Sequence, residues 1–278
     1  MAVKTREKSK ARKIIKAILL AALIIIVLIH LVHALTLDRI IVYSEISFSS
    51  PNISIEMDGY RIAFVTDIHA LDKFDERLQK IVNELNQRHI DLLILGGDIA
   101  DREALDSAIE MLSQITTTDG IFGVEGNHDK YQELFAAMET HGMTPLSNSG
   151  AYVRNGFYLA GVEDLWNRNP NVADAISGAG ADSFVLLISH NPDVAMTQDT
   201  TNVDLILSGH THGGQLNFFG RWSIGLDSRV ISAYGNRFRA GWAESRDGTP
   251  VYVCRGIGEY YPRVFARPEV TLITLLHG

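Results

Sequence analysis

Cysteine is almost absent from this chain. Cys254 is the only cysteine in 278 residues, so no disulfide can form within the chain. It lies in the apolar run Val251–Cys254, which favours a buried and inert thiol. Internal repeats and low-complexity segments are also missing, and the length suits one globular domain with an appendage.

Positive charge is scarce beyond the N-terminus. The net charge of the chain is −8, yet residues 1–37 hold seven basic side chains and one acidic one, which leaves the remainder at −14. An acidic domain repels a nucleic-acid backbone, so general DNA or RNA binding is not expected. No adjacent arginine pair is present, which argues against a twin-arginine export signal.

The N-terminal segment has the composition of a membrane anchor. Residues 14–35 are almost wholly apolar, and the 21 residues from Ala17 to Leu37 span about 30 Å as a helix, enough to cross a bilayer. The basic residues before this run predict a cytoplasmic N-terminus, with residues 38–278 on the outer face. A cleaved signal peptide is the competing interpretation, but the apolar run exceeds the usual length of about 7–15 residues.

Five short segments each end an apolar run with side chains that bind metals. The runs are bounded by glycine and polar residues, which is typical of buried strands. The runs are residues 61–65, 91–95, 121–124, 184–188 and 203–207, and the polar segments that follow are Asp67-Ile68-His69, Gly96-Gly97-Asp98, Gly126-Asn127-His128-Asp129, Ser189-His190-Asn191 and Gly209-His210-Thr211-His212. Each polar set therefore follows the carboxyl end of a strand, where open α/β sheets place their sites.

The donor set indicates the kind of metal. It contains two carboxylates, one amide oxygen and four imidazoles, with His128 in addition, and no thiolate. Such mixed nitrogen and oxygen ligands suit Mn, Fe or Zn rather than calcium or an iron–sulfur cluster. One catalytic ion takes about three protein ligands, so this number fits two ions that share a bridging group. A purely structural interpretation fits poorly, because five of the ten histidines fall inside the motifs.

The ordered motifs over residues 60–215 resemble those of the calcineurin-like metallophosphoesterases. The segments Gly209–Gln215 and Ser189–Asp193 are most similar to its membrane-anchored bacterial branch. The resemblance implies a metal-dependent phosphoric ester hydrolase, a phosphodiesterase or pyrophosphate hydrolase acting on a lipid-linked or membrane-proximal substrate. It also implies a metal-bridging hydroxide as the nucleophile.

The resemblance assigns roles to individual residues. One ion is expected at Asp67, His69, Asp98 and His212, and a second at Asp98, Asn127, His190 and His210, with Asp98 as the bridge. His128 is expected to help the leaving oxygen depart. Asp129 either orients His128 or caps the helix that follows it. The alternative function is a non-catalytic metal-binding scaffold of the same fold, although no motif side chain is missing. No obligate protein partner is inferred.

The pattern of elements agrees with the fold that the resemblance implies. Helical patterns cover about 74–88, 103–114 and 130–141, which indicates βαβ units, and shorter strands follow at 151–153, 157–160, 250–254 and 270–276. The expected class is α/β, a two-sheet β-sandwich flanked by helices with one N-terminal transmembrane helix. The expected divisions are an anchor at 1–37, a linker and first strand at 38–59 and a catalytic domain at 60–278. The first strand is predicted at Ile53–Met57.

Two segments outside the motifs carry aromatic and arginine side chains suited to substrate contact. They are residues 163–168 and 217–222, with Trp166 and Trp222 as the largest side chains. Arginine suits phosphate and aromatic rings suit a lipid or a base. The alternative is that both tryptophans pack beneath loops. Arg237 and Arg239 are further candidates for phosphate contact.

Overall fold

The computed structural model describes residues 2–278 except 72–74, 101–102, 224, 226–230 and 259–261. It opens with a long helix, α1 (Ala2–Leu35). The segment Lys10–Arg39 is long and apolar enough to cross a membrane, and none of its most apolar window is buried against the rest of the protein. The predicted N-terminal apolar helix is therefore confirmed as a helix.

The described residues form two six-stranded sheets and one short hairpin. In chain order the strands are β1 (Val42–Ser50), β2 (Arg61–Val65), β3 (Leu92–Leu95), β4 (Ile121–Gly123), β5 (Thr144–Pro145), β6 (Ser149–Arg154), β7 (Phe157–Gly161), β8 (Phe184–Ile188), β9 (Leu205–Ser208), β10 (Asn217–Phe218), β11 (Trp222–Ser223), β12 (Gly241–Glu244), β13 (Pro250–Val253) and β14 (Glu269–His277). The first sheet has the order β1-β14-β2-β3-β4-β5 and the second the order β12-β13-β9-β8-β7-β6. Strands β2, β3 and β4 are parallel, as are β7, β8 and β9.

Alternation along the strands builds three apolar layers. In β2, Ile62 and Phe64 enter the core between the two sheets, while Ala63 and Val65 pack beneath helices on the other side. The helices over the first sheet are α2 (Glu76–Asn86), α3 (Leu105–Leu112) and α4 (Tyr131–Thr140). Two short helices, α5 (Val172–Ala175) and α6 (Val194–Thr197), cover the second sheet. The predicted two-sheet sandwich flanked by helices is confirmed. Of the predicted helix at 74–88, residue 74 lies outside the described residues.

The first strand does not lie where the sequence pattern placed it. The predicted strand at Ile53–Met57 is wrong, because a 3₁₀ turn occupies Ile55–Met57 and the strand is β1. Ile53 and Met57 are buried, but Ile55 between them is 75% exposed, so the alternating residues do not share one face. β1 pairs in parallel with β14 over its whole length and therefore belongs to the first sheet. The domain boundary at residue 60 stays a prediction.

The carboxyl ends of the parallel strands meet at one end of the sandwich. The His210 N–H after β9 donates to both carboxylate oxygens of Asp67 after β2, at 3.1 and 3.0 Å. The Nδ1 atom of His190, after β8, lies 2.8 Å from the carbonyl oxygen of Gly96, after β3. These contacts join the two sheets at the polar segments and bring four of the five motifs together.

Candidate metal centre

Most of the predicted metal ligands adopt the left-handed backbone conformation. Five of the seven have a positive φ, which is uncommon for residues other than glycine and clusters at functional sites. They are Asp67 (50°), His69 (48°), Asp98 (53°), His210 (69°) and His212 (49°). Glycine is needed where a second loop approaches: a Cβ at Gly126 would lie 2.2 Å from Oδ1 of Asp98, and one at Gly209 would lie 2.3 Å from Oδ2 of Asp67. The glycines therefore let the two carboxylates sit against backbone.

Two buried carboxylates lie at the centre of the cluster. Oδ2 of Asp98 is 3.4 Å from Nε2 of His69 and 3.3 Å from Nε2 of His190. Oδ1 of Asp67 is 3.6 Å from Nε2 of His212 and 4.0 Å from Nε2 of His190. Two groups have ligand atoms within 4.8 Å of one another, Asp67 with His69 and His212, and Asp67 with Asp98 and His190. The structure thus brings five predicted ligands into one site.

Asn127 and His210 lie at the border of this cluster. The side-chain oxygen of Asn127 is buried and accepts no hydrogen bond from the described residues. Nε2 of His210 lies 3.0 Å from the carbonyl oxygen of Ile231, and its ring lies 5.2 Å from that of His190. A buried polar atom without a partner is rare in a folded protein, so the amide oxygen of Asn127 fits a cation ligand.

Burial and mutual charge shift the pKa of the central groups. Burial raises the pKa of Asp67 to about 6 and lowers the pKa of His69 to about 4. Burial opposes ionisation of Asp98 as well, but the charge of His190 holds the pKa of that carboxyl below its usual range. Burial acts against the charged form of His190, yet the carboxylates of Asp98 and Asp67 raise its pKa to about 10. The site therefore favours positive charge between the two carboxylates.

Arg263 is a buried neighbour of the site that the sequence pattern does not single out. Its guanidinium donates to the carbonyl oxygens of Arg255 and Ala266, and Nη2 lies 3.1 Å from Nδ1 of His212. Arginine can only donate, so this contact puts the proton of a neutral His212 on Nε2. Burial, with the charge of Arg263, lowers the pKa of His212 well below its usual value. Burial and Arg263 together favour a neutral His212, and binding of a cation through Nε2 requires loss of that proton or a shift of the Arg263 contact.

His128 stands at the exposed edge of the cluster. Its ring centroid lies 5.2 Å from that of His69. Its backbone N–H, rather than its imidazole, donates to Oδ1 of Asp98 at 2.8 Å. His128 is therefore an exposed neighbour of the cluster whose backbone fixes the central carboxylate.

Asp129 has a role that neither sequence interpretation named. Its carboxylate accepts hydrogen bonds from the N–H groups of Asp98, Ile99 and Gly126, at 2.7, 3.0 and 2.8 Å. The helix-capping interpretation is wrong, because α4 begins at Tyr131 and has no side-chain cap. Burial raises the pKa of Asp129 to about 7. Asp129 fixes the backbone of the two loops that carry Asp98 and Asn127.

The segment 163–168 closes one side of the centre. The amide of Asn167 donates to the carbonyl oxygen of Asn127 at 2.6 Å, and the ring of Trp166 meets that of His210 edge-on at 4.4 Å. Trp166 is 50% exposed and Trp222 is 44% exposed, so the interpretation that both pack beneath loops is wrong.

Two further residues named from the sequence lie outside this segment. Arg237, a candidate for phosphate contact, donates to the carbonyl oxygen of Glu244. Cys254 is buried, as predicted.

Comparison with known proteins agrees with this arrangement. Residues 60–214 match the family model of the calcineurin-like phosphoesterases, and the chain belongs to that family. The family is one of metal-dependent phosphoric ester hydrolases that use divalent metals. The alternative of a non-catalytic scaffold has no support from the motifs, because all seven predicted metal ligands and His128 are present.

Individual relatives extend beyond the motif region. The chain is 29% identical over 254 residues to the uncharacterized metallophosphoesterase YkuE of Bacillus subtilis, with 84% of each protein covered. A transmembrane protein with a metallophosphoesterase domain from Danio rerio is 30% identical over 243 residues, which is 79% of this chain but 54% of that protein, so the chain spans about half its length. The crystal structure of TT1561 from Thermus thermophilus has a TM-score of 0.50 and 15% identity, covers 72% of this chain and 90% of that one, and shows the fold alone.

Proposed function

We propose that the chain binds two divalent ions and hydrolyses a phosphodiester or pyrophosphate at a membrane surface. The observation that carries the proposal is the position of Oδ2 of Asp98, which lies 3.4 Å from Nε2 of His69 and 3.3 Å from Nε2 of His190. A carboxylate that bridges two ions must face one ligand set on each side. We assign one ion to Asp67, His69, Asp98 and His212, and the other to Asp98, Asn127, His190 and His210.

The donor chemistry fits such ions. The protein offers imidazole nitrogens, carboxylate oxygens and one amide oxygen, which suit Mn, Fe or Zn. The second ring nitrogens of His190 and His210 face the carbonyl oxygens of Gly96 and Ile231, which fixes the orientation of both rings. When bound, two ions polarise the phosphoryl oxygens and bring the pKa of a water toward about 7.

The remaining chemistry belongs to side chains at the edge of the cluster. His128 lies there at the open side, and we assign its imidazole to protonating the leaving oxygen. In this scheme Asp129 and Asn167 do not contact the substrate. They hold the backbone of the loops that carry Asp98 and Asn127 through the hydrogen bonds described above.

Metal content and hydrolysis test the proposal together. We expect the purified full chain, loaded with Mn²⁺, to hold two ions and to hydrolyse bis(4-nitrophenyl) phosphate. Chelation should remove both properties, and refilling with Mn²⁺, Fe²⁺ or Zn²⁺ should restore them, because the ligands bind these ions reversibly. Elemental analysis gives the stoichiometry and absorbance gives the rate. A single bound ion at full activity, or activity that survives chelation, contradicts the two-ion assignment.

Attachment to a membrane limits the range of possible substrates. Support comes from α1, which is long and apolar enough to span a bilayer, and from the Danio rerio relative whose name describes a transmembrane protein. The basic residues before the apolar run favour a catalytic domain on the extracytoplasmic face of the cell membrane. We infer a single-pass protein whose substrate is lipid-linked or lies close to the membrane.

A reporter at the C-terminus tests this topology. Gly278 is exposed after the last strand, so a fused alkaline phosphatase should leave the fold intact. We expect the reporter to be active, which requires export, and the full-size fusion to stay in the membrane fraction. A fluorescent protein that folds only in the cytoplasm serves as the reciprocal control. An inactive phosphatase places the domain inside the cell, and a shortened soluble product shows that residues 1–37 are a signal peptide.

A further inference from the structure

A cavity lies beside the end of α1, apart from the metal cluster. It has a volume of about 350 Å³ and contains none of the predicted metal ligands. Three arginines and two carboxylates line it, and α1 contributes a histidine. These charged and titratable residues are Arg239, Arg255, Arg267, Asp38, Glu269 and His33. The cavity therefore has more cations than anions in its wall.

Both carboxylates have partners within the protein. Oε2 of Glu269 lies 2.7 Å from Nε of Arg255, and Oε1 accepts from the hydroxyl of Tyr252 at 2.6 Å. Oδ2 of Asp38 accepts from the N–H of Phe265 at 2.7 Å. The same Oδ2 atom lies 3.2 Å from Nδ1 of His33, and Oδ1 of Asp38 is buried without a hydrogen bond from the described residues. Glu269 thus compensates Arg255, and among the described residues Asp38 contacts a loop and a histidine rather than an arginine.

Among the described residues neither Arg239 nor Arg267 forms an ion pair, but Arg267 donates to the carbonyl oxygen of Ile40 at 3.4 Å. The side chain of Arg239 is half-buried, and within the part of the chain that the structure describes its guanidinium makes no hydrogen bond either. Burial, and then the charge of Arg255, lower the pKa of Arg239. A partly buried cation beside a second cation is costly unless an anion joins them.

The end of the membrane helix forms one side of this cavity. His30 of α1 lies among an aromatic collar of Phe218, Phe219 and Phe265, at centroid distances of 5.4, 4.9 and 5.1 Å. His33 stacks on Phe265 at 3.6 Å and lines the cavity. Phe218 is half exposed although it is apolar. With α1 across a bilayer as proposed above, the cavity opens beside the end of the helix, at the level of lipid headgroups.

The other side of the cavity adjoins a motif loop. A Cβ at Gly213 would lie 2.6 Å from Cγ of Arg255, so Arg255 packs against the loop that carries His212. The hydroxyl of Thr211 donates to the carbonyl oxygen of Arg239 at 3.0 Å. An anion in the cavity would therefore lie on the far side of this loop from the metal cluster.

We propose that this cavity binds the phosphate group of an anionic lipid headgroup, with Arg239 as its main contact. The inference rests on the membrane attachment proposed above. Guanidinium groups present a planar fork that matches phosphate oxygens, and Arg239 has donors to spare. The adjoining helix end and aromatic collar supply the apolar surroundings that acyl chains need. The headgroup is bound there and not cleaved, because no metal ligand lines the cavity.

Binding of a short-chain lipid tests the proposal without turnover. Full-length protein in a zwitterionic detergent, depleted of metal, is titrated with dihexanoyl phosphatidic acid by calorimetry. We expect one binding event, which Arg239→Gln weakens by about tenfold or more through loss of charge-assisted hydrogen bonds. Arg237→Gln is the matched control, since Arg237 lies two residues earlier, is exposed and donates to the backbone carbonyl oxygen of Glu244. This variant should bind like the parent protein.

Further titrations identify the ligand, and a separate rate measurement distinguishes failure of the lipid-binding proposal from failure of the proposed hydrolysis. Inorganic phosphate, titrated in the same way, should bind at least about tenfold more weakly than the lipid, since it lacks acyl chains. Equal affinity would make the cavity a site for the free ion and overturn the lipid assignment. Unchanged binding by Arg239→Gln, or none by the parent protein, overturns the proposal altogether. Hydrolysis of a soluble diester by the metal-loaded proteins is measured separately and should be equal in parent and variant. If circular dichroism shows that Arg239→Gln is unfolded, Arg267→Gln carries the test.

Discussion

Replacing Asp98 with asparagine is expected to abolish hydrolysis and metal binding together. Oδ2 of Asp98 faces one histidine from each proposed ion site, so loss of its charge weakens both sites at once. Removing a partner outside the direct ligands commonly costs about 10–100-fold in metal affinity, and the loss of a bridging ligand should exceed this. Elemental analysis and hydrolysis of bis(4-nitrophenyl) phosphate measure the two effects.

Asparagine is the informative substitution because it keeps the local fold. The Oδ1 atom of Asp98 accepts the N–H of His128, and an asparagine oxygen can accept the same bond. Asp106→Asn is a matched control, since Asp106 is exposed on α3. Two bound ions and a near-normal rate in the Asp98 variant, with the control unchanged, would remove Asp98 from the centre.

The buried strands of the sandwich can be predicted from sequence because they are apolar on both faces. β2 and β8 lie at the predicted residues, since Ile62–Val65 and Phe184–Ile188 are unbroken apolar runs buried on both faces. β1 escapes prediction because it is an edge strand, exposed at alternate positions and rich in serine. The apolar alternation at Ile53–Met57 is a stronger local signal, but a turn at Pro51 and Asn52 precedes it and a 3₁₀ turn occupies Ile55–Met57.

The motif residues can be named from sequence, but much of their geometry cannot. The contact between His210 and Asp67 joins residues 143 positions apart, and only the folded sandwich brings them together. The left-handed backbone at Asp67 and Asp98 is likewise imposed by tertiary contacts, since aspartate has only a weak preference for it. Arg263 gives no signal in the sequence because an isolated arginine forms no pattern, and its importance comes from complete burial beside His212.

His128 should behave differently from the proposed ligands. We expect His128→Ala to keep both ions, because the contact that fixes Asp98 comes from the backbone N–H of residue 128 and survives the change. General acid catalysis is typically worth about 10²–10⁴-fold, so hydrolysis of a diester with a poor leaving group, such as a phenyl or alkyl alcohol, should fall by about that factor. A nitrophenol leaves without protonation, and its diester should be hydrolysed at nearly the parent rate.

The dependence of the hydrolysis rate on the leaving group shows whether His128 acts as the general acid. His141→Ala provides a control, since His141 follows the last turn of α4 and bonds to Ala137 outside the centre. Rates for several diesters, plotted against the pKa of the leaving alcohol, should be steeper for His128→Ala than for the parent, because the variant must expel the unprotonated oxygen. An equal loss for every diester would show that His128 stabilises charge without donating a proton. Loss of an ion in His128→Ala would instead show that His128 is a metal ligand. The assignment of Asn127 as a ligand would then be in doubt, although its side-chain oxygen is buried and has no hydrogen bond from the described residues.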